Sequence, residues 1–300
     1  MKVYRNVIVG VDFSGASKAA AEEAARIASW GDGVLHVVHV LTADEVEDAQ
    51  AYAIIPTDQI IAGVKEKLQA FMSDSPAGHP RVEFHVSIGH PFNDLVSYCD
   101  ENDGDLIVLG SHGEGGRPGR VGVIASRSVR KAEVPVMLVR GRQREPFRKV
   151  VACVDFSATS KKALIQAGAI AEQDEAELHV VHVSYPLWMK PTSVLYDLHQ
   201  VPDEEQQRAE RERLKEELEE FVAEALGSGR SAGCIKVPLE KQYAAYAMAD
   251  YLREENADLA VLGTRGRSGM KAFLLGTTAE RLIHESPCSV LVVKPDQDGA

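Results

Sequence analysis

Leu259-Ala260-Val261-Leu262-Gly263-Thr264-Arg265-Gly266, followed after nine residues by Gly276-Thr277, is the stretch that decides how this chain folds. Its four leading apolar residues form an unbroken run, as expected of a strand buried on both faces. The residues from Thr278 to Glu285 read as a helix. A strand, a glycine loop and a helix start are the parts from which a backbone anion site is made. Glycine reaches φ > 0 and lets the main chain approach a ligand closely. The amides at a helix N-terminus point outward and carry a partial positive charge, and the hydroxyl of Thr277 adds a donor beside them. Two readings compete: a phosphate cradle, or a connection that uses glycine only to turn. The second glycine with its hydroxyl neighbour favours the cradle.

The same pattern occurs earlier in the chain. Asp105-Leu106-Ile107-Val108-Leu109-Gly110 matches Asp258-Leu259-Ala260-Val261-Leu262-Gly263. Upstream, Val11-Asp12-Phe13-Ser14 recurs as Val154-Asp155-Phe156-Ser157, and Leu35-His36-Val37-Val38-His39-Val40 as Leu178-His179-Val180-Val181-His182-Val183. A repeat of this length means a duplicated domain. The polar junction Gly141-Arg142-Gln143-Arg144-Glu145-Pro146 reads as a short linker, giving domains over 1–142 and 147–300.

Each copy alternates strands with helices. In copy one the strands are expected at 7–11, 34–41, 82–88, 106–109 and 136–139. Ser14 offers an N-cap to a helix with Ala20, Ala24, Ile27 and Ala28 inward and Gly31 and Gly33 at its end. A second helix carries Ile60, Ile61, Val64, Leu68 and Phe71 at helical spacing, and a third, after Pro91, turns Phe92, Leu95, Val96 and Cys99 inward. Copy two has a longer, charged middle helix over 203–226, its apolar stripe running from Leu214 through Leu218, Phe221 and Val222 to Leu226. Its charges read as a solvated, self-paired face. Such alternation with right-handed crossovers yields an α/β fold, a parallel sheet with helices on both faces.

Bulk properties narrow the function. The formal charge is −12, and residues 1–143 carry 14 Lys and Arg against 19 Asp and Glu, so neither half is basic. That argues against nucleic acid as the main partner. No apolar run approaches the roughly 20 residues a membrane span needs, and Met1 to Asn6 lead into a strand without a signal peptide's apolar stretch. Cys99, Cys153, Cys234 and Cys288 are scattered, which suggests a reducing, cytoplasmic compartment and no structural zinc. Cys153 lies in a core strand and reads as a small buried hydrophobe.

Gly263-x2-Gly266-x9-Gly276-Thr277, the Val-Asp-x-Ser at the end of strand one and the tandem α/β plan together resemble the universal stress protein family over nearly the whole chain. The resemblance implies two Rossmann-like domains, each a five-stranded parallel sheet in the order 3-2-1-4-5. It implies ATP, with Mg²⁺ held largely by phosphates and water, in a crevice at the carboxyl ends of the strands, where open parallel sheets bind ligands. Carried over by position, Gly263, Gly266, Gly276 and Thr277 would cradle phosphate, Asp155 would contact the adenosine part, and Val183 would meet the adenine through its backbone. Read without the family, Asp155 either accepts from a ligand hydroxyl or amino group or makes an Asx turn into the helix. The family also implies pairing of the last strands between the two copies, and a homodimer as a further possibility. A nucleotide-dependent stress-response regulator is the leading expectation. A slow ATPase and a non-nucleotide interaction module are the alternatives.

Copy one departs from the motif. Aligned on Gly110 and Gly113, Val123 and Ile124 stand where copy two has Gly276 and Thr277, and a shift to Gly122 still leaves Val123 in place of the hydroxyl residue. A β-branched residue resists φ > 0 and hinders backbone approach, so copy one is expected not to bind ATP in the family manner. Arg117 and Arg120 in its loop read as solvated. Copy two also replaces Gly89-His90-Pro91 with Gln242-Tyr243-Ala244, where Tyr243 could narrow the pocket or stack on a base. The pairs His36/His39 and His179/His182 point to opposite strand faces and cannot share a metal. No catalytic residue is assigned. Arg265, Arg267 and Lys271 could neutralise phosphate or could simply be surface residues.

Overall fold

The computed structural model describes residues 4–53, 55–73, 81–113, 120–141, 146–186, 202–264 and 275–295. The chain divides into two compact units, one built on residues up to Pro146 and the other beginning at Phe147.

The first unit contains β1 (Asn6–Gly10), α1 (Gly15–Ala28), β2 (Val34–Leu41), α2 (Ala43–Ala53), α3 (Thr57–Met72), β3 (Val82–Ile88), α4 (Pro91–Glu101), β4 (Leu106–Gly110), α5 (Val123–Lys131) and β5 (Val136–Val139). Its strands lie in the order β3-β2-β1-β4-β5, with each neighbouring pair parallel. The second unit contains β6 (Lys149–Val154), α6 (Ala158–Asp174), β7 (Glu177–Ser184), α7 (Glu204–Leu226), the short α8 (Ser228–Ser231), β8 (Ile235–Glu240), α9 (Ala244–Glu254), β9 (Leu259–Gly263), α10 (Thr277–Glu285) and β10 (Ser289–Val293). The order there is β8-β7-β6-β9-β10, the same 3-2-1-4-5 sequence.

The central strands are apolar because helices cover both faces. Val7, Ile8 and Val9 of β1 and Val150, Val151 and Ala152 of β6 are all buried. Ala20, Ala24, Ile27 and Ala28 form the buried stripe of α1. That helix starts as expected, the Ser14 side chain accepting from the Ser17 amide at 3.1 Å. It ends at Ser29 in a right-handed conformation, ahead of the glycines. Ser157 caps α6 in the same way, accepting from the Ser160 amide at 3.1 Å. The duplication extends to the far end of each sheet. There Asp105 accepts from the Arg5 and Asn6 amides (2.7 and 3.2 Å), and Asp258 from those of Arg148 and Lys149 (2.8 and 2.9 Å). Helix α2 was not anticipated. Its first turn is closed by Thr42 and Glu45, whose side chains cap each other's backbone amides at 2.7 and 3.3 Å. Cys153 is buried as expected, and burial pushes its thiol up to about 12.

Candidate functional site

In each unit the first strand ends in an unusual turn. Phe13 and Phe156 both adopt φ 63°, the left-handed region. For a non-glycine residue this costs about 1–3 kcal/mol and persists only where packing enforces it. The packing is repeated: Phe13 lies tilted against His39 and meets Phe71 edge-on (centroids 4.8 and 5.4 Å), and Phe156 does the same with His182 and Phe221 (4.3 and 5.3 Å). The turn lifts Asp12 and Asp155 out of the strand at its carboxyl end. Asp155 Oδ1 accepts the Ser157 amide at 3.1 Å, and Asp12 Oδ1 accepts both the amide and the hydroxyl of Ser14 at 3.1 and 2.6 Å. The Asx turn therefore exists in both copies. In both it is Oδ1 that accepts the serine amide.

Val183 sits where backbone becomes available. The Lys241 amide donates to the Ser184 carbonyl at 3.0 Å, so Ser184 faces β8, and alternation along the strand turns Val183 toward β6. The β6–β7 register ends at Val154 opposite His182. The N–H and C=O of Val183 thus point past the end of β6, into the crevice. Copy one repeats this: Val11 donates to the Val38 carbonyl at 2.9 Å and Gly89 to that of Leu41 at 2.8 Å, so Val40 faces the ended β1.

The glycines separate by role. A Cβ on Gly263 would lie 2.9 Å from the Thr159 methyl and 3.2 Å from its backbone, so this glycine lets β9 pack on α6. Gly110 does the same against Ala16 at 2.8 Å. Gly276 is different. Its φ is −61°, and among the described residues a Cβ there would meet only the Thr264 carbonyl oxygen at 3.5 Å. It is the N-cap of α10, which has no side-chain cap, and Thr277 is the first helical residue. Gly266, Arg265, Arg267 and Lys271 lie outside the described residues.

The alignment of the two loops needs correction. The Gly276 amide donates to the Thr264 carbonyl at 2.9 Å, and the Gly122 amide to that of Ser111 at 2.8 Å. Gly122, with φ −67°, is the N-cap of α5. Gly122 is therefore the counterpart of Gly276, and Val123 and Ile124 correspond to Thr277 and Thr278. The steric objection from Val123 falls away, because the glycine is present and neither glycine uses positive φ. The loss of the hydroxyl stands. Copy one reaches the same geometry with a loop one residue shorter.

Copy one also holds a feature the sequence did not announce: a cleft of about 1110 Å³ at the carboxyl ends of β1, β2 and β4. Asp12, Phe13, Val40, Lys67, Gly113 and Ile124 are among its walls. Lys67 places its ammonium 4.1 Å from the Phe13 ring centre. In copy two, Glu217 occupies the matching helical position and pairs with Arg213 at 3.5 Å. Tyr243 is 61% exposed just before α9, its ring edge-on to Tyr246 at 6.3 Å.

The histidine pairs divide as their spacing implies. His36 hydrogen-bonds the Tyr98 hydroxyl (3.1 Å) and His179 that of Tyr251 (2.7 Å), while the Nδ1–H groups of His39 and His182 donate to the Val11 and Val154 carbonyls (2.7 and 2.9 Å). Among the described residues no group of three or more His, Cys, Asp or Glu could hold a metal ion. No helix among them is long and apolar enough to cross a membrane.

Comparison with known proteins bears on the family and the fold. A profile of the universal stress protein family matches residues 3–140 and again 146–294. A universal stress protein of Mycobacterium tuberculosis is 28% identical over 304 residues, covering 96% of each chain. One of Bacillus subtilis is 32% identical over 152 residues, spanning 49% of this chain and 99% of that one. In fold, the chain is similar to a universal stress protein from Archaeoglobus fulgidus at TM-score 0.63 and 19% identity, covering 99% of this chain and 98% of that one. With both halves matched in turn, the chain belongs to the universal stress protein family.

Proposed function

We propose that this protein binds ATP in the crevice of its second unit and acts as a nucleotide-dependent regulator of a stress response. One observation carries the reading. Among the described residues, Gly276 is demanded neither by backbone conformation nor by packing, yet it stands at the start of α10, which has no side-chain cap, beside Thr277. A site that must admit phosphate to the first-turn amides has a reason to keep a side chain away from that position. Asp155 then accepts from the ribose, the open backbone of Val183 meets the adenine edge, and Gly263, Gly266, Gly276 and Thr277 surround the phosphates. Mg²⁺ is bound through the phosphates and water. Cytoplasmic residence is part of the proposal and rests on the four free cysteines.

Titration calorimetry of ATP into the full chain tests this. One equivalent is expected. Thr277→Val with Thr278→Ile, which copies Val123-Ile124, is expected to weaken binding about tenfold or more through the lost hydroxyl donors. Undiminished affinity in that variant would remove the phosphate assignment. Phosphate release followed in the same samples distinguishes a regulator from a slow ATPase.

A further inference from the structure

The edge strands β3 and β8 hold equivalent places in the strand order of their units, yet they are built differently. The Leu35 amide donates to the Arg81 carbonyl at 3.0 Å, and the Gly89 amide to that of Leu41 at 2.8 Å. By alternation the odd-numbered residues of β3 bond to β2, and Val82, Phe84, Val86 and Ile88 turn N–H and C=O outward. In β8 the Lys241 amide donates to the Ser184 carbonyl at 3.0 Å, which turns Lys236, Pro238 and Glu240 outward. Pro238 has no N–H to offer, and Glu240 pairs with Arg211 at 3.0 Å. Proline and charge are the means by which sheets blunt an edge. The outward row of β3 has neither. None of its seven residues is buried, and among the described residues no strand pairs with its open side.

We propose that β3 is a homodimer interface, pairing antiparallel with β3 of a second copy about a two-fold axis at His85. Three observations select that occupant. First, reversing the strand on itself sets Val82 opposite the partner's Ile88 and Phe84 opposite the partner's Val86. All four outward residues then exchange N–H···O bonds, and their side chains form apolar cross-strand pairs. Second, the other face brings no like charges together. His85, stacked on Tyr98 at 4.3 Å, meets its own copy there, and burial lowers its pKa so that it is uncharged at neutral pH. Ser87, whose hydroxyl finds no partner among the described residues, comes opposite the partner's Glu83. Arg81 and Glu83 form an ion pair, so the strand adds no net charge where two acidic chains would meet. Third, head-to-tail addition of β3 to β8 of a neighbour is stopped at Pro238. Pairing through β3 is therefore isologous and closes at two copies instead of propagating.

This inference does not rest on the ATP reading, and its test needs no nucleotide. Sedimentation velocity of the full chain across a concentration series is expected to show a reversible dimer. Val86→Pro removes one outward N–H from each copy and is expected to weaken that dimer about tenfold or more. Phe84→Lys is expected to weaken it comparably, by setting a charge opposite the partner's Val86. Both substitutions copy residues that β8 already carries at the matching positions, so the fold should survive, as urea denaturation would show. The register is read by cross-linking in a Cys234→Ser background, the remaining cysteines being buried. His85→Cys places two Cα atoms about 4.5 Å apart across the axis, within disulfide reach, and is expected to give an oxidised dimer. Glu83→Cys lies about 14 Å from its own copy and is expected to give none. A parent that stays monomeric would leave the edge to some other partner and overturn the proposal. So would a dimer whose affinity is unmoved by Val86→Pro, or cross-linking of Glu83→Cys as readily as His85→Cys.

Discussion

At the residue scale, glycines with the same place in a motif have different physical reasons to be there. Gly263 is held by contact: a Cβ would press on the Thr159 methyl at 2.9 Å and its backbone at 3.2 Å. Gly263→Ala is therefore expected to destabilise the second unit by about 1–3 kcal/mol, as overpacking does, measured by urea denaturation. Among the described residues nothing crowds a methyl group at Gly276, the nearest atom being the Thr264 carbonyl oxygen at 3.5 Å. Gly276→Ala is expected to lose less than about 1 kcal/mol of stability, the difference between glycine and alanine at an N-cap, while ATP affinity in calorimetry falls out of proportion. Equal stability losses at both glycines would remove this distinction. The sequence motif presents the two as equivalent because spacing records position and not what lies 3 Å from a missing Cβ.

At the element scale, capping decides where helices begin and half-buried carboxylates decide where strands are clamped. Asp203 forms a reciprocal box with Gln206 at the start of α7, at 2.8 and 3.1 Å. This is what allows so charged a helix to start cleanly. Asp203→Ala is expected to cost about 1 kcal/mol. Asp258 serves two strand amides through one carboxylate oxygen. Asp258→Ala leaves both without their acceptor and is expected to cost more, about 1–3 kcal/mol. Chemical denaturation of the two variants gives the order directly. The strands, α1, α3, α4 and the stripe of α7 were legible because their apolar periodicity is strong. Helix α2 was not, because Ala43–Ala53 has only Val46 buried among its described side chains, and its signal was the Thr42 and Glu45 box alone. The loop registration between copies was misread for a related reason. The copies differ by one residue there, and only the matched amide bonds of Gly122 and Gly276 show which glycines correspond.

At the scale of the whole molecule, the ATP proposed for the second unit and protonation of the first each shift stability. ATP bound to the second unit at a hundred times its Kd should stabilise that unit by about 2.7 kcal/mol. Hydrogen exchange should slow in β6, β7 and β9. Protons act on the first unit, where burial lowers the pKa of His36 and His85 below the ordinary 6.5. The unfolded chain then binds more protons than the folded one, so stability is complete above about pH 6.5 and declines as pH falls through the folded values. His36→Gln is expected to flatten that decline in denaturation measured between pH 7 and pH 5.

What the sequence determined by itself is the duplication, the α/β class, the positions of most strands and the pairing of Asp12 with Asp155 and Val40 with Val183. These follow from periodicity and repetition, which are properties of the chain read in order. What only the tertiary structure decided is which backbone groups are open, which glycines are packed against a neighbour, how the two loops align, and that the first unit encloses a cleft. Those depend on where β1 and β6 stop relative to β2 and β7, and on distances between residues far apart in the chain. Neither is encoded in the spacing of a motif.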